Sequence, residues 1–394
     1  MSERCVCLVF DRSYVDAHYF FRETITHFLS RGWSVDLFVP FSAYHPLPTI
    51  DSPRLAIRQF SGGRTRRFIW TLLIGRKYDA ILATPQRALF WAAGPASLRR
   101  IPLVYFSDEI YSWEGSELLR TGKIGGNYVV PYKLKKREMT VHHQCCMTVS
   151  LSHSRFELLR LENQMPPDHP YAVLPNAPAE SRVGIQSSFY HEVLSIPNEK
   201  PILVHCGGTK WDLIDPFLRA ASTWRNNFFT VFHGRHSGAF TGFPSNRNEN
   251  IRYHSEVLPS NLMPYAVSSA EIGLLLYNQD NPAEAFNPDT SGKLGLFLSC
   301  GLPVICCNSR QLDWINEEGC GVRVNTLDEI PAAVDRILSD RERYSRNAIR
   351  VFLERYRFTP YFDTFMEKFE SVLRECSSPR KRLKVTKGLS KEGI

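Results

Sequence analysis

Two segments in the second half of this 394-residue chain place glycine, hydroxyl and lysine side by side, a combination suited to holding phosphate. The first, Cys206-Gly207-Gly208-Thr209-Lys210-Trp211-Asp212, follows an apolar run and leads into helical spacing. Adjacent glycines let a ligand approach the backbone, and the start of the helix offers unpaired amides and the positive end of its dipole. Lys210 adds a mobile cation, although Gly-Gly also serves as an ordinary strand-to-helix turn. The second, Pro288-Asp289-Thr290-Ser291-Gly292-Lys293-Leu294, opens an apolar helix expected over Lys293 to Ser299, with Thr290 or Ser291 as its N-cap. Capping alone accounts for one such hydroxyl, but two such loops in one sheet point to a diphosphate.

In the first half, Asp108 and Glu109 follow a strand-like run, with Tyr111, Trp113 and Glu114 just after. Carboxylates that accept from hydroxyls, beside aromatic rings that cover C–H surfaces, suit a polyol; a solvated loop or helix cap is the alternative. Asp11 is a third acidic candidate. Glu138, among Lys133, Lys135, Lys136 and Arg137, reads as a helical ion pair. His142, His143 and His153 lack a carboxylate or cysteine at metal spacing and read as core or capping residues. The ten cysteines contain no C-x-x-C pair, so no metal is assigned and a reducing cytosol fits.

In open parallel sheets ligands bind beyond the carboxyl ends of the strands, so these residues require strands immediately before them. Period-2 and buried runs place strands at Cys5 to Phe10, Ser34 to Val39, Leu55 to Phe60, Asp79 to Ala83, Leu103 to Phe106, Met147 to Val149 and Tyr171 to Leu174. Helical spacing fills the gaps at Val15 to Arg31, Thr65 to Arg76, Gln86 to Leu98, Tyr132 to Cys146 and Ser152 to Glu162. The pattern restarts after VLPNAPAESRVG, with strands at Ile202 to His205, Phe229 to Phe232, Ile251 to His254, Ile272 to Leu276, Val304 to Cys306 and Val322 to Val324. An α/β domain over 1–180 and a second over 181–358 are expected. Thr359-Pro360 should break one helix, and Tyr361 to Glu375 should form another, over 359–376, with an apolar face of Phe362, Phe365, Met366, Phe369, Val372 and Leu373.

Length and a hydrophobic content of 43% exclude a small stapled module and a disordered chain. The apolar stretch Phe68 to Gly75 falls far short of the ~20 residues that cross a bilayer, and the N-terminus does not read as an export signal. Arg64, Arg66, Arg67, Arg76 and Lys77 flank that stretch, which reads as a buried crossover helix with membrane contact as the alternative. Of the formal charge of +8, residues 377–394 supply +5, six basic residues against Glu392 alone, and the rest of the chain +3. That tail reads as solvated and disordered, able to touch anionic headgroups; no nucleic-acid reader motif is visible.

The stretch TSGKLGLFLSCGLPVI resembles the donor-binding segment of GT-B glycosyltransferases, in particular the retaining family 4 group. YDAILATP, IPLVYFSDEIYS, CMTVSLSHSRFELL, YAVLPNAP, PILVHCGG, ENIRYHSEV and SSAEIGLLLYN follow in that group's order and extend the likeness over most of residues 3 to 375. The resemblance implies two Rossmann-like domains facing across a cleft, with the terminal helix returning to the first. It implies that Gly207, Gly208, Thr209 and Lys210 hold the donor diphosphate with Thr290, Ser291, Gly292 and Lys293, and that Gly234, Arg235 and Val257 cradle the nucleobase. Asp108, Glu109, Asp11, Tyr111 and Trp113 would then belong to the acceptor side. Two departures stand out. The group's pair of glutamates falls on Pro288 and Leu296, with Glu284 and Asp289 nearby, and the glycine pair after the first strand is replaced by Asp11-Arg12-Ser13.

The activity so implied is transfer of a sugar from a nucleoside-diphosphate sugar, as co-substrate without a further cofactor, to a hydroxyl of a glycan, lipid-linked saccharide or small molecule. Retention of configuration and independence from metal go with it, as does a place in polysaccharide biosynthesis; the setting expected is the cytoplasm, with peripheral contact at the inner membrane face as an option. A lapsed scaffold or activator subunit and a nucleotide-sugar epimerase are the alternatives.

Overall fold

A computed structural model describes residues 4–12, 15, 18–41, 47, 49–60, 65–110, 113, 132–207, 211–225, 227–234, 249–277, 287–307 and 309–377. The chain divides into two compact units: residues 1–16, 21–175 and 359–394 form the first, and residues 17–20 and 176–358 the second.

In unit 1 the chain runs β1 (Cys5–Phe10), α1 (Tyr19–Ser30), β2 (Ser34–Pro40), β3 (Leu55–Phe60), α2 (Thr65–Ile74), β4 (Ala80–Thr84), α3 (Gln86–Arg99), β5 (Leu103–Ser107), α4 (Tyr132–His142), β6 (Met147–Ser150), α5 (His153–Glu162) and β7 (Tyr171–Val173). The strands form one parallel sheet in the order β3-β2-β1-β4-β5-β6-β7. β1, β4, β5 and β6 are buried on both faces, as expected for a parallel sheet covered by crossover helices. The register Phe10↔Thr84 brings Asp11 beside the end of β4, where its amide donates to the Thr84 carbonyl at 3.2 Å.

Unit 2 contains α6 (Phe189–Val193), β8 (Ile202–Cys206), α7 (Trp211–Ala221), β9 (Phe229–His233), β10 (Ile251–His254), α8 (Met263–Val267), β11 (Ile272–Leu275), α9 (Gly292–Ser299), β12 (Val304–Cys307), α10 (Trp314–Glu318), β13 (Gly321–Val324), α11 (Ile330–Leu338) and α12 (Arg341–Val351). Its sheet is also parallel, ordered β10-β9-β8-β11-β12-β13. The division between units falls at Pro175–Asn176, earlier than 180, because Asn176 and Ala177 pack on α9. A Cβ on Gly292 would lie 2.8 Å from Asn176 Nδ2, and one on Gly295 2.6 Å from Ala177 Cβ, so glycine is what lets this segment approach the helix.

A π turn over Phe352–Tyr356 and the extended residue Arg357 separate α12 from α13 (Phe358–Ser377). The break therefore precedes Thr359-Pro360, contrary to the sequence expectation: Pro360 sits in the first helical turn, where its missing N–H has no intrahelical partner to lose. From Thr359 onward the helix belongs to unit 1. Phe362, Phe365 and Phe369 are fully buried there, with Phe28 ring centroids 5.3, 6.0 and 5.8 Å away. Truncating any one of them removes about 3–5 kcal/mol by transfer and cavity terms.

Two further expectations change. The first helix starts at Tyr19 rather than Val15, and residues 17–20 group with unit 2. α2 buries only one stripe: Phe68 and Leu72 enter the core beside Phe60 and Trp91, while Trp70 and Ile74 face solvent, so this is not a wholly buried crossover helix.

Candidate functional site

In unit 2 the strand ends converge. Gly207, just after β8, adopts φ +102°, and its amide donates to the His233 carbonyl at 2.9 Å. Gly234, just after β9, donates its amide to the His254 carbonyl at 3.0 Å and lies so close to Gly207 that a Cβ would meet the Gly207 carbonyl oxygen at 2.0 Å. Lys293, in the first turn of α9, extends toward the same place: its Cδ is 3.7 Å from where a Gly207 Cβ would stand. Its Nζ sits over the Tyr277 ring, 4.9 Å from the centroid. The loop after β8, the loop after β9 and the start of α9 thus share one neighbourhood.

Ser291 occupies the N-cap position of α9 without a side-chain capping bond, and the Thr290 hydroxyl turns back to the Asn287 carbonyl at 3.3 Å. Neither hydroxyl therefore caps the helix through its side chain, and the amides of its first turn together with Lys293 make a cationic cradle. Asp289 has its carbonyl engaged by the Tyr356 hydroxyl at 2.8 Å. At the positions of the glutamate pair, Pro288 is buried and Leu296, 3% exposed, packs in the core of the unit.

Beside this cradle lies a set of side chains that sequence reasoning missed. Tyr190 donates its hydroxyl to His233 Nδ1 at 2.7 Å, and His233 Nε2 donates to the Glu256 carbonyl at 2.9 Å, the residue before the half-buried Val257. Burial pushes His233 down to about 4, so it stays neutral in this role. Phe189 approaches the His254 ring at 5.3 Å and the Tyr265 ring at 6.2 Å. His205, fully buried, donates from Nδ1 to the Leu274 carbonyl at 3.0 Å; burial and then the Lys293 charge hold its pKa well below the usual imidazole value. The signal was present as histidine at the last residue of β9 and β10, but histidine at a strand end is equally a core residue. Gly208, Thr209, Lys210 and Arg235 lie outside the described residues, as do Tyr111 and Glu284.

In unit 1 the acidic candidates gather around a residue that had been noted only as a departure from the glycine pair. Arg12 reaches Asp108 Oδ2 at 3.2 Å and Glu109 Oε2 at 2.7 Å, with Asp11 Oδ1 at 3.8 Å. Asp108 is not a solvated loop residue: its side chain is 5% exposed, while Glu109 remains 43% exposed. The backbone of this pair is pinned from below. Arg155 Nη2 donates to the Asp108 carbonyl at 2.8 Å and Gln86 Nε2 to the Glu109 carbonyl at 3.1 Å. Burial raises the Asp108 pKa against the pull of Arg12. Burial likewise lifts Asp11 to about 6, again opposed by Arg12. Asp11 Oδ1 is buried and makes no hydrogen bond among the described residues, facing Arg12 Nε at 3.8 Å. Trp113 donates its amide to Glu162.

Glu138 is an ion pair of an unexpected kind, because both partners are fully buried. Lys135 Nζ lies 3.1 Å from Glu138 Oε2 and donates to Asn163 Oδ1 at 2.7 Å, and the Tyr105 hydroxyl donates to Glu138 Oε1 at 2.7 Å. Asn163 bonds His142 at 2.9 Å, and the Thr148 hydroxyl joins His142 to His169 at 2.6 and 2.8 Å. This chain makes His142 a satisfied core group, whereas His143 and His153 are exposed and bond the Asn163 carbonyl at 3.1 Å and the Tyr171 hydroxyl at 3.0 Å. Among the described residues no group of three His, Cys, Asp or Glu side chains is arranged to hold a metal ion.

Residues 219–365 match the model of the "Glucosyltransferase 3-like, C-terminal domain" family. No curated protein sequence is detectably similar to the chain. Among solved structures, HepE of Anabaena in complex with UDP is similar with a TM-score of 0.68 at 12% identity, covering 93% of this chain and 100% of that one. Sucrose-phosphate synthase of Thermosynechococcus elongatus gives 0.68 at 12% identity over 95% of this chain and 100% of that one. The lipopolysaccharide outer core galactosyltransferase WaaB gives 0.57 at 13% identity, over 93% and 99%. What these proteins share with the chain is architecture, and that architecture is the GT-B glycosyltransferase fold.

Proposed function

We propose that the protein is a glycosyltransferase that moves a sugar from a nucleoside-diphosphate sugar to a hydroxyl of a glycan, lipid-linked saccharide or small molecule. The observation that carries this reading is the meeting of Lys293 and Gly207 at the carboxyl ends of the unit 2 strands. Departure of a nucleoside diphosphate builds negative charge on phosphate, and a lysine with first-turn amides stabilises that charge where it develops. The family-model match over residues 219–365 and the UDP carried by HepE favour the same donor class. Because the cations come from the chain, the reaction needs no divalent metal, and the departing phosphate can take the acceptor proton, as in a retaining front-face transfer.

On the acceptor side, Asp11, Asp108 and Glu109 accept from sugar hydroxyls, with Arg12 holding the carboxylates together. A cytoplasmic setting with peripheral contact to an anionic membrane belongs to the same reading; among the described residues no helix is long and apolar enough to cross a membrane. A thermal-shift screen of nucleotide-sugars tests the donor class, since a ligand of the native state raises the melting temperature with ln(1 + [L]/Kd). A rise with at least one nucleoside diphosphate is expected; no rise with any of them contradicts the reading.

A second reading, a scaffold without turnover, is favoured by one observation: Leu296 packs in the core where a donor-binding glutamate would stand. Donor hydrolysis or transfer by the purified protein alone rejects it.

A further inference from the structure

Charge is unevenly distributed along unit 1. Residues 52–107 contain ten arginines and lysines (Arg54, Arg58, Arg64, Arg66, Arg67, Arg76, Lys77, Arg87, Arg99 and Arg100) and a single acid, Asp79, a surplus larger than the +8 of the whole chain. Within this stretch α2 and α3 expose apolar side chains that globular surfaces usually cover. Trp70 is 60% exposed, and Ile74, one turn further along the same helix, is 76% exposed. Leu98, in the last turn of α3, is 76% exposed.

The two helix ends are tied together, because Arg99 Nη1 donates to the Leu72 carbonyl at 2.9 Å and to the Arg76 carbonyl at 3.0 Å. Ile74 and Leu98 are therefore flanked by Arg76, Lys77 and Arg100, all exposed. Burying the inner stripe of α2 needs only Phe68 and Leu72, so core packing does not account for Trp70 and Ile74.

We infer that this surface of α2 and α3 docks on an anionic lipid bilayer, with Trp70, Ile74 and Leu98 entering the headgroup boundary and the exposed Arg76, Lys77 and Arg100 pairing with lipid phosphates. Tryptophan and aliphatic side chains gain by leaving water at that boundary, and each nearby cation is attracted by the negative surface potential. Charge alone suits nucleic acid as well, but three exposed apolar side chains among the cations favour lipid. The patch lies where α2 and α3 lead into β4 and β5, the edge of the sheet away from Asp11 and Asp108 at the strand ends, so docking does not cover them. The inference goes beyond the proposed function by naming the surface that holds the protein at a membrane, and it does not depend on that reading.

Flotation of the full chain with phosphatidylcholine vesicles, and with vesicles partly replaced by phosphatidylglycerol, tests it. Binding is expected to the second kind alone and to fall with added salt. Trp70→Ser/Ile74→Ser/Leu98→Ser and, separately, Lys77→Glu/Arg100→Glu should each weaken binding more than tenfold, with an unchanged melting temperature because these side chains are exposed. Absence of vesicle binding overturns the inference, as does equal binding by the apolar triple variant, which would assign attachment to the basic tail. Stronger capture of a mixed-sequence RNA oligonucleotide than of anionic vesicles, lost with Lys77→Glu/Arg100→Glu, would assign the surface to nucleic acid instead. Melting shifts with nucleoside diphosphates in the same variants keep the two readings apart: vesicle binding without any nucleotide response leaves the surface standing and removes the transferase.

Discussion

The Lys293 side chain lies against Gly207, its Cδ 3.7 Å from where a Cβ would stand, although the two residues are far apart in sequence and belong to different strand-to-helix connections. Gly207 also accepts the close approach of Gly234, which no residue with a side chain could make. These contacts turn two weak sequence signals into one cationic, glycine-lined neighbourhood.

Replacing Gly234 with alanine forces a Cβ into the Gly207 carbonyl oxygen, at 2.0 Å, so backbone must move. A loss of about 2 kcal/mol or more is expected in chemical denaturation. Gly207→Ala has more room but carries a positive φ, and a smaller loss of about 1–2 kcal/mol is expected, accompanied by weaker nucleotide binding. Equal and negligible effects would show that the strand ends do not approach as described.

Removing one partner of the fully buried Lys135–Glu138 pair leaves an uncompensated charge. Lys135→Met or Glu138→Leu alone should destabilise the protein by about 3–5 kcal/mol, and the double variant should recover most of it. Additive losses would contradict the pairing.

Much of this architecture was legible from the chain. All thirteen strands begin within one residue of the expected position, β4 at Ala80 and β13 at Gly321 being the two that differ, because buried parallel strands read as continuous apolar runs. Less was legible where tertiary contact decides. Arg12 read only as the loss of a glycine, since nothing local says that Asp108 and Glu109, nearly a hundred residues on, will sit around it. The start of α1 shifted to Tyr19, which itself belongs to unit 2 and whose hydroxyl donates to the Ser260 carbonyl of that same unit at 3.0 Å, a partner that helical spacing does not announce. Trp70 and Ile74 looked like core because periodicity assigns a stripe but does not count how many of its residues the sheet can cover.

Burial raises Asp11 from its usual carboxylate value to about 6, so the folded state holds this proton more tightly than the unfolded chain. The associated stability is fully present below the unfolded value near 4 and is lost as pH rises through about 6. Asp11→Asn should therefore raise the melting temperature at pH 7 by a few degrees while reducing transfer at least tenfold, the pattern of a residue kept for function. A drop in stability at pH 7 would place Asp11 among ordinary structural carboxylates.

His142 and His169 are held neutral by burial, the first pushed down to about 2 and the second to about 4. Above the ordinary imidazole value neither contributes; below it the unfolded chain takes up protons that the folded protein refuses, so stability falls as pH drops toward 4. Denaturation midpoints measured between pH 7 and pH 4.5 should decline. His169→Gln should flatten that decline, whereas an unchanged slope would mean that His169 already charges in the folded state.

Calorimetric titration of the full-length protein and of Lys293→Ala with the nucleoside diphosphate that gives the largest melting shift reads the Gly207–Lys293 neighbourhood directly. Loss of a charge-assisted contact to phosphate should weaken binding about tenfold or more, with the variant's fold intact. Equal affinity in the two proteins would contradict a diphosphate seat at the start of α9.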